Sequence, residues 1–264
     1  MNYHKLVTNV KRALYGSRGE PYSCNGKTLY FVPGTRPVRA KYKTSSNVVN
    51  RHDALQIDYF SRHISRGANC LDVGAHTGEC AVLMSALSGP QGYVVCFEPD
   101  PNAVHLLKAN IALNRLQSFV TIEEIAVSDC VGTQRLYNAN GGSNATIKVV
   151  NGLQEESSRD VPTITIDAYL HQAKLPPPDF VKIDIEGAEV DALSEAKSVL
   201  ASNADILVEL HPFAWGDVGS TYRRFLDLID EHGRQARYLD EEKPIGRDPK
   251  YGTVVLEKIR AVSK

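Results

Sequence analysis

Asp72 and Glu98 are the first residues of this chain whose types and spacing could do chemistry. Asp72 ends an apolar stretch and leads into Val73-Gly74-Ala75-His76-Thr77-Gly78-Glu79, and the apolar run Ala81-Val82-Leu83-Met84 follows. A short strand that ends in an acid, turns through two glycines and opens a helix can hold a nucleoside-bearing cofactor at the carboxyl edge of a parallel sheet. A side chain at Gly74 or Gly78 would keep such a cofactor from the loop backbone and the helix N-terminus. A second apolar strand, residues 93–97, ends in Glu98-Pro99-Asp100-Pro101. Glu98 lies 26 positions after Asp72, close to the offset of an acid that accepts hydrogen bonds from ribose hydroxyls.

A second group sits further along. Asp184 and Glu186 close a strand at residues 180–184, and Glu209 and His211 close another at 205–211. Strand periodicity of two puts Glu209 and His211 on one side, and Asp184 and Glu186 likewise if the strand persists. Sequential strands are usually neighbours, so three carboxylates and one imidazole can converge beside the cofactor turn. Each alone is more often a helix cap or a solvated strand end. Together they form a set able to take a proton from a bound acceptor.

These residues need strands and helices that alternate. From Asn69 onward they do, which argues for an α/β fold with a doubly wound, mostly parallel sheet. Asp100 caps a helix with Pro101 at its first position, and Val104, Leu107 and Ile111 form its buried stripe. Residues 119–127 read as a third strand that ends with Glu123 or Glu124 and the Ala126-Val127-Ser128-Asp129 turn. A helix beginning near Gly187 buries Val190, Leu193 and Leu200, and Tyr222, Phe225, Leu226 and Ile229 mark another, stopped by Gly233. Thr253–Leu256 and Arg237–Leu239 suggest an antiparallel C-terminal hairpin.

Residues 1–60 read as an N-terminal appendage, a candidate cap over the cleft, and 61–264 as the cofactor-binding domain. In the appendage, Leu6, Val10 and Leu14 share a helical face, residues 30–32 form a strand before a Pro33-Gly34 turn, and residues 53–65 form a helix. The 264 residues, 42% apolar, suffice for one core with such an appendage. Lys plus Arg number 30 against 31 acids, so no overall field favours nucleic acid or anionic lipid. Arg36, Arg39, Lys41 and Lys43 are a candidate local basic patch and read first as solvated strand and turn charges. No run approaches the ~20 apolar residues of a membrane span. The five cysteines lack metal-ligand spacing, and with no apolar stretch behind the N-terminal charges they suit a reduced, cytoplasmic protein.

The blocks Asp72–Gly78, Phe97-Glu98-Pro99, Ala126–Asp129, Lys182-Ile183-Asp184-Ile185-Glu186-Gly187-Ala188-Glu189 and Glu209-Leu210-His211 occur in that order. Together they resemble the FkbM-type S-adenosylmethionine-dependent methyltransferases across about residues 67–215. The resemblance implies a class I Rossmann-like domain with S-adenosyl-L-methionine as cofactor. It implies that Gly74 and Gly78 admit the methionine part, with Asp72 orienting it through its amino group or a water. It also implies that Glu98 takes both ribose hydroxyls, that Pro99 and the segment from Glu124 through Ala126 to Val127 border the adenine, and that Asp184 lies near the sulfonium. His76 stands where Asn is commoner in the family and should act mainly through the loop backbone. Glu79 is assigned to the cofactor with this turn.

The expected reaction is O-methylation of a hydroxyl on a small-molecule acceptor, a sugar or secondary metabolite. His211 is the first candidate for the base, because an imidazole pKa of ~6.5 suits neutral pH. Asp184 and Glu186 are the alternatives. A divalent metal on Asp184, Glu209 and His211 is the less favoured arrangement, and no metal is assigned. N-methylation of a small amine uses the same residues. A nicotinamide-dependent oxidoreductase fits less well, since the turn is Gly-Ala-His-Thr-Gly and no Tyr-x-x-x-Lys pair occurs. A binding protein without chemistry would not need acids at five strand ends. The loop at 138–144 is a candidate acceptor contact, Trp215 either a pocket wall or core, and a homo-oligomer is left open.

Overall fold

A computed structural model describes residues 11–37, 48–137, 145–148, 158–216, 218–241 and 243–259. Its centre is a seven-stranded sheet of β3 (Asn69–Val73), β4 (Tyr93–Phe97), β5 (Val120–Glu123), β9 (Phe180–Ile183), β10 (Asp205–Leu210), β11 (Arg234–Tyr238) and β12 (Gly252–Lys258), in the order β11-β12-β10-β9-β3-β4-β5. The five strands β10, β9, β3, β4 and β5 are parallel. The hairpin of β11 and β12 inserts β12 antiparallel beside β10. After β3 the chain moves one way, to β4 and β5, and later returns to place β9 on the other side of β3. The crevice at the carboxyl ends of β3 and β9 is therefore the switch point where such sheets bind ligands.

Parallel strands covered on both faces are apolar throughout, and β9 is buried at every position. One face packs under α1 (Val48–His63), α2 (Glu79–Ser88) and α3 (Pro101–Leu113), through Phe60, Leu83 and Leu107. The other packs under α4 (Ile166–Ala173), α5 (Glu189–Ser194), α6 (Lys197–Ala201) and α7 (Val218–Glu231), through Ile166, Val190, Leu200 and Phe225. Asp100 caps α3 by accepting from Asn102 N at 3.0 Å, with Pro101 in the first turn, and Val104, Leu107 and Ile111 are buried as expected.

The N-terminal segment is docked rather than appended. A hairpin of β1 (Glu20–Cys24) and β2 (Lys27–Phe31) buries Tyr22 and Phe31 in the same core as Tyr59 and Phe60 of α1. Asn110 of α3 accepts from Val32 N at 2.7 Å and Asn114 accepts from Tyr30 N at 2.8 Å. The division expected after residue 60 falls inside α1. Leu14 lies in a short helical stretch, residues 11–15, but is 72% exposed. Leu6 and Val10 lie outside the described residues, as do Arg39, Lys41 and Lys43. Arg36 pairs with Glu20 at 2.8 Å.

Two expected elements divide. Residues 119–127 are not one strand: β5 stops at Glu123, and β6 (Ala126–Val127) joins a separate three-stranded sheet, order β6-β8-β7, with β7 (Gly132–Leu136) and β8 (Arg159–Ile164). Pairing of Ala126 and Val127 with Thr163 and Ile164 takes the chain off the main sheet. The helix after β9 breaks between Ser194 and Lys197, so Leu200 is buried from α6 rather than from the helix that holds Val190. Among the described residues, no helix is long and apolar enough to cross a membrane.

Candidate active site

The carboxyl ends of the parallel strands frame a cavity of about 250 Å3. Glu98, just past β4, lines one part of it. Its Oε2 accepts from His76 N and its Oε1 from Asp100 N, both at 2.8 Å. Each oxygen keeps acceptor capacity for a ligand. Burial pushes the carboxyl up to about 7 against the pull of those two amides. Pro99, Ile125 and Ala126 add an apolar wall.

Asp184, Glu186, Glu209 and His211 line the same cavity. Glu186 is not on the strand, because β9 ends at Ile183 and Glu186 has φ of +53°. This left-handed residue, unusual for a non-glycine, turns the loop so that Glu186 Oε2 lies 3.5 Å from His211 Nε2, with Asp184 Oδ1 at 3.8 Å. Gly187 completes the turn at φ +107°, where a Cβ would lie 2.5 Å from that of Ala214. Donor atoms of Asp184, Glu186 and His211 all fall within 4.8 Å of one another. Glu209 is held apart from that trio, accepting from the Tyr251 hydroxyl.

Behind the imidazole sits Glu189, the first residue of α5 and fully buried. Its carboxylate accepts from His211 Nδ1 at 2.8 Å, Trp215 Nε1 at 3.2 Å and Gly187 N at 2.7 Å. Burial alone would lower the His211 pKa. The hydrogen bond and charge of Glu189, with Asp184 and Glu186 adding, instead raise it to about 10. Burial raises Glu186 to about 7, although the nearby imidazole opposes the shift. Asp184 goes the other way: burial is outweighed by Lys182 and His211, which hold its carboxyl below the usual range. Lys182 Nζ lies 3.2 Å from Asp184 Oδ2 and 3.5 Å from Asp72 Oδ1, and donates to Gly74 O at 3.0 Å.

The family model for the methyltransferase FkbM domain matches residues 72–236. The chain belongs to the FkbM methyltransferase family. Similar proteins include the 2-O-methyltransferase NoeI of Sinorhizobium fredii, 26% identical over 60% of this chain and 70% of that protein. The hexuronic acid methyltransferase AglP of Haloferax volcanii is 29% identical over 53% of this chain. The match spans 54% of AglP, about half its length. The crystal structure of methyltransferase FkbM from Methylobacillus flagellatus aligns with a TM-score of 0.49 at 14% identity, over 80% of this chain and 52% of that one.

Set against this family frame, the expected site residues separate into groups. Gly74, His76, Glu98, Pro99, Ala126, Asp184, Glu186 and His211 line the cavity together. Asp72 does not: it is fully buried, lines neither this cavity nor its neighbour, and faces Lys182. Burial raises its pKa, and the Lys182 ammonium opposes that shift. Gly78 also lines neither cavity, and the reason for a glycine there is packing. At φ +84° its Cβ would lie 2.3 Å from Leu107 Cδ1. Gly74, at φ +81°, would drive a Cβ to 1.8 Å from Asp184 O. His76 has φ of +46°, a conformation Asn and His tolerate better than most residues, and it acts through its N–H to Glu98. Glu79 opens onto a second cavity. Trp215 is core, and residues 138–144 lie outside the described residues.

Sequence reasoning missed Glu189 and Tyr251. Glu189 reads as an ordinary acid in a first helical turn. Its signal is position: it precedes Val190 on the face that also buries Leu193, where an unpaired charge is not tolerated. Nothing local marks Tyr251.

Proposed function

We propose that this protein is an S-adenosylmethionine-dependent O-methyltransferase whose acceptor is a hydroxyl of a sugar or sugar-like metabolite. One observation carries the reading: a single cavity is lined by the Glu98 carboxylate and by Asp184, Glu186 and His211. The names of NoeI and AglP support the acceptor class. The residues fit the cofactor, with Glu98 for the ribose, Pro99, Ile125 and Ala126 for the base, and Gly74 beneath the methionine. When bound, the cofactor supplies an electrophilic methyl group. Five free thiols, three of them buried, fit a reducing compartment, and we place the enzyme in the cytoplasm.

The chain's own task is to place an acceptor oxygen in line at roughly 3 Å and to receive its proton. We assign that proton to Glu186 rather than to His211. With its pKa raised to about 10 it is already charged at neutral pH. Glu186, at about 7, is half-ionised there and lies in the cavity beside it. Glu186 accepts the proton, and the imidazolium, locked by Glu189, orients Glu186 and Asp184. This moves the base away from the residue favoured by an unperturbed imidazole.

Calorimetric titration with S-adenosylhomocysteine tests the reading. We expect binding, weakened about tenfold or more in Glu98→Ala, since two charge-assisted hydrogen bonds are lost. Absence of heat, or unchanged affinity in that variant, refutes it. Tritiated methyl transfer to a panel of sugars and uronic acids then tests the acceptor class. A second reading, a divalent cation on Asp184, Glu186 and His211, is favoured by the closeness of their donor atoms.

A further inference from the structure

Phe213 is 65% exposed, although its neighbours Pro212, Ala214 and Trp215 are buried. The single helical turn Pro212–Ala214 follows β10 directly, so its flanks are fixed in the core while the Phe213 ring is held outward. Ala214 adds to that anchorage by packing on Gly187, where a Cβ would lie 2.5 Å from its own. The ring is therefore presented by a rigid turn, and the core does not need it for packing.

Its neighbours tie it to the active site. The register of β10 on β12 pairs Leu210 with Gly252. One step further along, His211 comes beside Tyr251, with ring centroids 5.5 Å apart. Phe213 stands edge-on to His211 at 5.6 Å and 6.4 Å from Tyr251. His211 and Tyr251 both line the first cavity, and Tyr251 lies beyond the residues matched to the family. Sheet order places the group. Glu98 follows β4, Asp184 and Glu186 follow β9, and the aromatic pair sits at β10 and β12. In the order β4-β3-β9-β10-β12 the two acids thus stand between the ribose carboxylate and the rings.

A lone apolar side chain on a surface is ordinary. This one borders a cavity whose described lining contains no Lys or Arg to grip an acceptor by charge. A sugar ring has hydroxyls around its edge and a patch of C–H bonds on its face. Acids beside an aromatic ring complement that division, because the ring face carries partial negative charge and C–H hydrogens partial positive charge.

We propose that Phe213 is the wall of the acceptor subsite, packing the C–H face of a sugar ring whose hydroxyl edge turns toward Asp184 and Glu186, with Tyr251 backing the aromatic ring. The inference rests on the reading of the acceptor as a sugar hydroxyl and adds the residue that holds the body of that sugar.

The test measures tritiated methyl transfer to the methyl glycosides of glucose, galactose, mannose and glucuronic acid, with full kinetics on the one turned over fastest. Phe213→Ala should raise KM for that glycoside about tenfold with kcat little changed, the signature of lost uniform binding. Phe213→Tyr keeps the ring face and should recover most of that loss. Calorimetry with S-adenosylhomocysteine should give parental affinity in both variants, which also shows that they are folded. A parental KM in Phe213→Ala overturns the inference, as does an equal loss in the Ala and Tyr variants or a matching fall in S-adenosylhomocysteine affinity. If the parent binds S-adenosylhomocysteine but methylates none of the glycosides, the sugar reading fails and the wall with it. If the parent methylates a glycoside and Phe213→Ala does so with parental KM, only the wall fails.

Discussion

Replacing Glu189 with Gln preserves shape and removes charge from the centre of the site. The native carboxylate takes His211 Nδ1 and Gly187 N on Oε1 and Trp215 Nε1 on Oε2. A Gln has one acceptor oxygen, so its NH2 must face a donor in this fully buried place. Loss of a charge-assisted bond to the imidazole is worth ~1.5–3 kcal/mol, which corresponds to about 1–2 pKa units. His211 should then fall from about 10 to roughly 8–9, with Asp184 and Glu186 still holding it above the free imidazole. NMR titration of the His211 ring protons, assigned with His211→Ala, reads this directly. The sign of the accompanying stability change follows. A folded pKa above the unfolded ~6.5 gives stabilisation that is fully present below ~6.5 and lost as pH rises through the folded value. In Glu189→Gln that loss should be complete at lower pH than in the parent, where it runs progressively from ~6.5 up to about 10. An unchanged His211 titration curve in the variant refutes the account in which Glu189 keeps the imidazole charged.

Turnover should rise with pH through about 7, as Glu186 loses its proton and becomes able to accept one. Glu186→Gln should remove that rising limb and lower kcat by ~10²–10⁴-fold, and a variant that keeps the limb assigns the base elsewhere. Gly74→Ala should fail to fold or lose more than ~3 kcal/mol in urea denaturation, because a Cβ would meet Asp184 O at 1.8 Å on a left-handed backbone. A parent-like midpoint would show that the loop yields. Activity should persist after EDTA treatment and desalting, and loss restored by added Mn2+ would instead support a cation on Asp184, Glu186 and His211.

Much of the fold is legible in one dimension because its causes are local. The apolar runs that became β3, β4, β9 and β10 are bounded by turn residues, and the Asp100-Pro101 start of α3 needs nothing beyond its own neighbours. The Asn25-Gly26 pair, both at positive φ, was an available signal for the β1–β2 hairpin. Residues 119–127 show the limit. Alternating apolar positions specify extended backbone, but which sheet receives Ala126 and Val127 depends on β8, more than thirty residues later.

The candidate site divides on the same line. Sequence by itself determined which strand ends carry acids, because strand direction is a backbone property, whereas Glu186 reached the cavity through a left-handed turn past the end of β9. Only the tertiary structure decided what each group faces. It sealed Asp72 behind Lys182, set Glu189 behind His211, and brought Asp53 and Gln56 of α1 beside the glycine turn. Protonation state and ligand access depend on burial and on partners distant in the chain, and these come into being only when the helices close over the sheet.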